Sequence, residues 1–240
     1  MRRVLLEKKD IHKGSLVLVN RDHGLPRQIG GEQLQSLGGS VSMEKAAAAQ
    51  LGRLLERKRE IVCVSGFRSR EEQEELYCRS LEEYGEVFTR KYVAEPGHSE
   101  HESGLAVDLA QSGAPPDLIR PSFPDSGVCR SFRKKAPWFG FIQRYEEGKE
   151  DVTGIACEPW HFRYVGFPHS LLMRKKGLAL EEYLDLLKAS GELIWKYAGR
   201  RFQIRYVDIG GKTSVFAEIP ERKGCRISGD NRSGFIVTLF

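Results

Sequence analysis

An aspartate stands inside an apolar run. Gly104-Leu105-Ala106-Val107-Asp108-Leu109 reads as a strand, and the segment before it, Pro96 to Ser103, is a Gly/His/Ser-rich loop that carries His101. An imidazole from the loop and a carboxylate from the strand are thereby brought close, with Gly104 permitting tight backbone packing between them. Two other segments stand out: Ser65-Gly66-Phe67-Arg68-Ser69, at a strand-to-helix junction, and Glu158-Pro159-Trp160-His161-Phe162-Arg163-Tyr164. Two imidazoles and one aspartate, His101, Asp108 and His161, make a three-ligand set for Zn²⁺ that leaves a fourth tetrahedral position for water. Glu158, three residues before His161, is the spare carboxylate that a hydrolase needs as general base. Spacing alone leaves a second reading open, because His and Asp in a loop-rich domain also serve as surface or hydrogen-bonding groups. His12, His23, His98 and His169 are read that way.

Around these segments the local patterns predict mixed helix and strand. Ser15–Asn20 is expected as a short strand and Ile61–Val64 as a buried one. A helix is expected from Ser42 to about Arg59, on the spacing of Ala46, Ala47, Leu51, Leu54 and Leu55. A second begins at Ser69, where Ser69 and Glu72 have capping-box spacing, and runs to about Tyr84 before Gly85. Further expectations are a helix at 131–139, strands at 141–144 and 160–164, and helices at 170–176 and 181–188. From Tyr197 the pattern changes to alternating strands at 201–207, 214–219 and 235–239, with a Gly210-Gly211 turn. The domain reading is an N-terminal lead segment (1–40) packing on a catalytic domain (41–196), followed by a small β-rich appendage (197–240).

Composition removes several function classes. With 40% hydrophobic and 10% aromatic residues in 240, the chain builds a core and is not disordered. Its formal charge of +5, from 38 basic and 33 acidic residues, is mild and spread out. No basic stripe interleaved with aromatics appears, so no nucleic-acid partner is expected. No apolar run reaches the ~20 residues of a membrane span, and no transmembrane segment is expected. The N-terminus meets charge before an apolar region develops, so no signal peptide is read. That gives a cytoplasmic expectation for the chain as it stands, or the bacterial cell envelope if a leader has been removed. The five cysteines lack any Cys-x-x-Cys pair, which argues for free thiols and against an all-thiolate zinc site.

The pattern Ser-x-His-x-x-Gly-x-Ala-x-Asp at Ser99 to Asp108, with Glu-x-x-His at Glu158 to His161, resembles the zinc D,D-peptidases, most closely the VanY-type D-alanyl-D-alanine carboxypeptidases. The resemblance continues in Ser65-Gly-Phe-Arg-Ser with Gln73, in Pro96-Gly-His-Ser-Glu-His and in Glu158-Pro-Trp-His-Phe-Arg-Tyr-Val-Gly, and covers roughly residues 10–190. Phe67 stands where the family often has Tyr, and Glu102-Ser103 where Gln-Thr is usual; neither is an expected ligand.

This resemblance implies an α+β fold, a small central antiparallel sheet with flanking helices holding one zinc per chain. It makes His101, Asp108 and His161 the ligands, Glu158 the catalytic base and Arg68 the electrophilic partner. Gln73, Ser99 and Trp160 are implied to shape the substrate pocket. Two roles carry alternatives: Glu158 as a clamp on His161, and Arg68 as a helix residue paired with Glu72 or as a grip on the substrate's terminal carboxylate. The implied reaction removes the C-terminal D-alanine of a peptidoglycan peptide or precursor. Alternatives are a D,D-dipeptidase, an L,D-carboxypeptidase or an endopeptidase of the cell wall, or a non-catalytic Hedgehog-like zinc binding module. The presence of Glu158 together with Arg68 favours an enzyme. A wall-binding or oligomerisation role is a further reading for residues 197–240.

Overall fold

A computed structural model describes residues 1–114, 117–221 and 224–240. In chain order the first elements are β1 (Arg2–Glu7), β2 (Leu34–Gly38), β3 (Val41–Glu44), α1 (Lys45–Leu55), β4 (Ile61–Ser65) and α2 (Arg70–Tyr92). Then come β5 (Ala106–Gln111), α3 (Gly127–Lys135), β6 (Phe141–Gln143), α4 (Glu150–Thr153), β7 (His161–Tyr164) and α5 (His169–Lys176). The last are α6 (Leu180–Ser190), β8 (Glu192–Tyr197), β9 (Arg200–Asp208), β10 (Ser214–Ile219), β11 (Cys225–Gly229) and β12 (Gly234–Leu239). Among the described residues no helix is long and apolar enough to cross a membrane.

Two compact units form, one from residues 19–179 and the other from residues 1–18 together with 180–240. The division therefore falls elsewhere than the boundaries at 40 and 196 read from sequence. Its cause is strand pairing. β1 runs antiparallel to β10, from Arg2↔Ile219 to Glu7↔Ser214, and β8 pairs with β9 from Glu192↔Arg205 to Tyr197↔Arg200. Local periodicity announces a strand but not its distant partner.

In the 19–179 unit, four antiparallel strands pair in the order β4-β5-β7-β6. Side chains alternate across this sheet. Val107, Leu109 and Phe162 are fully buried on one face. There Phe162 meets Phe132 of α3 and Phe123 edge-on, with centroids 4.9 Å and 5.4 Å away. Burying each such ring stabilises the unit by about 1.5–3 kcal/mol. The opposite face carries Asp108 and His161.

Several elements depart from the sequence expectations. Ser15–Asn20 forms no strand: Leu16 N donates to Ser228 Oγ and Leu18 N to the Asp230 carbonyl, so loop contacts satisfy its backbone instead of a ladder. The helix expected from Ser42 starts at Lys45, because Val41–Glu44 pairs with Leu34–Gly38 and Glu44 caps Ala47 N at 3.0 Å. α2 opens on the expected capping box of Ser69 and Glu72 but does not stop at Tyr84. Gly85, at φ 77°, kinks the chain, which resumes as helix to Tyr92, and Ser80 and Thr89 hydroxyls bond across the kink at 2.8 Å. The helix expected at 131–139 lies earlier, at 127–135, with a 3₁₀ turn Ala136–Phe139 behind it.

The other unit holds a four-stranded antiparallel sheet, β11-β12-β9-β8, with α6 against β9, and the separate β1-β10 pair. The three strands expected near its end appear as β9, β10 and β12. Its core joins Leu6 and Ile11 to Ile209, Ala217, Ile219, Phe235, Val237 and Leu239.

Candidate metal centre

Register places the first two donors. Asp108 on β5 is the direct antiparallel partner of His161 on β7, so both side chains leave the same face of the sheet. The third comes from the 3₁₀ turn Glu100–Ser103, which ends at Gly104 in the left-handed conformation (φ 68°) and so turns the chain into β5. His101, Asp108 and His161 are all buried, and one ligand atom from each lies within 4.8 Å of the others. The two rings meet edge-on with centroids 5.0 Å apart.

Hydrogen bonds set which atom each candidate donor presents. His101 Nδ1 donates to the Gly66 carbonyl at 2.6 Å, which leaves a lone pair on Nε2, 3.1 Å from Asp108 Oδ2. Gly66 owes its place to crowding: a Cβ there would stand 2.2 Å from the Ser42 carbonyl oxygen, to which Phe67 N also donates. His161 has Nε2 facing Glu100 Oε2 at 3.4 Å, and its Nδ1 turned to Asp108 Oδ1 at 3.1 Å and Glu158 Oε2 at 3.6 Å. Asp108 Oδ1 nevertheless has no hydrogen-bond partner, so the in-plane direction of His161 Nδ1 misses it. A buried carboxylate oxygen with no hydrogen bond, beside two imidazole nitrogens, fits a divalent cation of the zinc type bound by Asp108 and the two histidines.

The electrostatics of the centre follow from burial and from its charges. Burial pushes the Glu158 carboxyl up to about 8, with His161 and Arg68 opposing the rise and the Asp108 and Glu100 carboxylates adding to it. Burial works the same way on Asp108, but His101 and His161 outweigh it and hold that carboxyl below its usual range. Glu100 is likewise held low against burial, by Arg163 and Arg144. For His101, burial dominates and favours the neutral ring.

The remaining residues expected from sequence line the same cleft: Arg68, Gln73, Ser99, Glu158 and Trp160. Arg68 does not pair with Glu72, whose carboxylate closes the capping box on Ser69 N at 2.7 Å. Its guanidinium donates to Gln73 Oε1 at 2.6 Å and to Ser65 Oγ at 2.9 Å. Gln73, 1% exposed, also donates from Nε2 to the Ala94 carbonyl at 2.7 Å. Its amide is thus occupied in holding Arg68. Glu102 accepts from Gly97 N at 2.6 Å and pairs with Arg70 at 3.1 Å, so this departure from the usual family residue braces the loop.

Sequence reasoning missed four participants. Glu100, Arg144 and Arg163 form a buried charged cluster behind His161. Tyr145, whose ring lies 4.9 Å from that of His161, forms part of the cleft wall. An arginine set between Phe162 and Tyr164 was the available signal, since a buried guanidinium demands a partner.

Comparison with known proteins places this arrangement. The family model described as "VanY: D-alanyl-D-alanine carboxypeptidase" matches residues 40–167. The bifunctional D-Ala-D-Ala dipeptidase and carboxypeptidase VanXYC of Enterococcus gallinarum is 39% identical over 180 residues, covering 72% of this chain and 95% of that one. The solved structure of the vancomycin resistance D,D-dipeptidase VanXYg, in complex with a D-Ala-D-Ala phosphinate analogue, superposes with a TM-score of 0.94 at 42% identity. That match covers 99% of this chain and 98% of the other. A VanY D,D-pentapeptidase variant from a VanB-type resistance cassette, solved with Zn(II), matches at a TM-score of 0.56 and 30% identity, over 71% of this chain and 98% of its own. The chain belongs to the VanY family of zinc D-alanyl-D-alanine carboxypeptidases.

Proposed function

We propose that this chain removes the C-terminal D-alanine from peptidoglycan stem peptides or their precursors, with His101 Nε2, an Asp108 oxygen and His161 Nδ1 holding one zinc. The carrying observation is the convergence of those three donors within 4.8 Å, with the Glu158 carboxylate 3.6 Å from His161 Nδ1. Bound there, zinc supplies a Lewis acid beside the scissile carbonyl. Glu158 Oε2 accepts the proton of the attacking water and delivers it to the departing amine. Arg68, anchored by Gln73 and Ser65, lines the cleft and stabilises the negative charge that develops on the carbonyl oxygen. Because that cation is already oriented, it needs no reorganisation as the charge forms. Ser99 and Trp160, 3% and 9% exposed, shape the wall against which the terminal residue rests.

A second reading concerns the free dipeptide. The near-complete match to a D,D-dipeptidase, with the likeness to a bifunctional relative, supports cleavage of D-Ala-D-Ala at the same centre. One experiment addresses both. Zinc-loaded protein is given a pentapeptide ending in D-Ala-D-Ala, a tetrapeptide ending in a single D-Ala, and the free dipeptide, and D-alanine release is measured. The proposal requires release from the pentapeptide that stops on chelation and returns with zinc. Release from the tetrapeptide alone replaces it with L,D-carboxypeptidase activity, and release from the dipeptide alone reduces it to the second reading.

A further inference from the structure

Three charged side chains lie wholly inside the 19–179 unit behind the metal centre. Glu100 is 2% exposed, Arg144 1% and Arg163 0%. Arg144 Nε donates to Glu100 Oε1 at 2.8 Å and Arg163 Nη1 donates to the same oxygen at 2.6 Å. They reach it from separate places: Glu100 from the 3₁₀ turn, Arg144 from the residue after β6, Arg163 from β7 two positions beyond His161. Arg163 stands opposite Ala106 in the ladder, where a methyl group leaves room for a guanidinium. Burying three charges opposes folding unless each is compensated, and an apolar trio would pack at less cost. What the charges accomplish is a division of labour within one carboxylate. Oε1 takes both guanidiniums, and Oε2 is left aimed at His161 Nε2, 3.4 Å away.

We propose that Glu100 is a positioning residue for the metal centre. Its Oε2 accepts the Nε2 proton of His161 and thereby fixes the tautomer in which Nδ1 offers its lone pair to the cation, while Arg144 and Arg163 lock the carboxylate. This rests on the reading of His161 as a ligand. The clamp on this imidazole thus belongs to Glu100, and Glu158 stays free on the Nδ1 side for proton transfer. Both ligand histidines then follow one rule, each donating from one nitrogen to a fixed protein oxygen, Gly66 O for His101 and Glu100 Oε2 for His161, and presenting the other.

Glu100→Asp tests it, because aspartate keeps the negative charge between the guanidiniums but withdraws the carboxylate by one C–C bond, about 1.5 Å. Zinc affinity is measured by competition with a chromophoric chelator, the thermal midpoint on metal-free protein, and the ring nitrogens by ¹⁵N-histidine NMR of the full chain. In wild type, zinc is expected to shift His161 Nδ1, while Nε2 keeps a slowly exchanging proton. In Glu100→Asp, zinc affinity is expected to fall roughly 10–100-fold and the Nε2 proton to exchange faster, with the metal-free midpoint little changed. Unchanged affinity with an unchanged Nε2 proton overturns the proposal. If Glu100→Asp does not fold, the wild-type spectrum decides alone: a slowly exchanging Nε2–H with Nδ1 shifted by zinc supports it, and a proton on Nδ1 of the zinc-loaded protein overturns it. A wild-type His161 that does not respond to zinc at either nitrogen removes the ligand reading itself, a result distinct from a responding ring with a loosely held proton.

Discussion

Asp108 and His161 face each other directly across two antiparallel strands, and His161 Nδ1 lies 3.1 Å from an Asp108 oxygen that accepts no hydrogen bond. Two donor atoms held this close by a ladder, and poorly aligned for each other, are well placed for a shared cation. The centre is therefore built mainly on strands, with one turn and one helix start supplying the rest.

Replacing Glu158, the proposed base, separates binding from chemistry. Glu158→Gln keeps the shape of the side chain and leaves the three donors intact. Zinc content is expected to stay at wild-type level by elemental analysis while D-alanine release falls about 10²–10⁴-fold. Turnover close to wild type would show that another group takes the proton.

His101→Ala removes a donor and also frees the Gly66 carbonyl. Bound zinc is expected to drop well below one equivalent per chain, and activity with it. A full complement of zinc in this variant sinks the ligand assignment.

Gln73→Ala leaves Arg68 Nη1 and the Ala94 carbonyl without their present partner. Stability is expected to fall by about 1–3 kcal/mol in urea unfolding. If Arg68 acts on charge that forms during reaction, kcat falls on the order of 10-fold, with zinc affinity unmoved. A change confined to KM assigns Arg68 to ground-state binding instead, as a grip on the substrate carboxylate.

Gly66→Ala pushes a methyl group against the Ser42 carbonyl, a contact of 2.2 Å that the backbone must relieve. The loss is expected to be about 1–3 kcal/mol. Because Gly66 O orients His101, zinc affinity is expected to weaken in parallel. Lost stability with undiminished zinc binding would show that the strand end moves without disturbing the imidazole.

Truncation after Lys196 deletes β9 through β12 and strips the pairing partners from β1 and β8. Exposed strand edges of this kind drive association, so the truncated chain is expected to elute as aggregate in size-exclusion chromatography. A soluble monomer would mean that residues 197–240 are dispensable, as their reading as a simple appendage suggests.

Much of the centre was legible because its signals are local. The Ser99–Asp108 segment carries two candidate metal donors on one short stretch, Glu158 and His161 are three residues apart, and the Ser69–Glu72 capping box announces the start of α2. Gln73 lines the cleft as expected, but its partners, Arg68 Nη1 and Ala94 O, are known only once the chain has folded.

What the order of residues determined by itself is the kind of chemistry: two imidazoles, an aspartate and a spare glutamate, carried on motifs short enough to be read locally. Tertiary structure alone decided how those groups are tuned and where the chain divides. The Glu100 contacts to Arg144, Arg163 and His161 span 44, 63 and 61 residues, and β1 finds β10 across most of the chain. Local preference acts over a turn or a few strand residues, whereas buried charge compensation and strand register depend on which distant segments the collapsed core brings into contact.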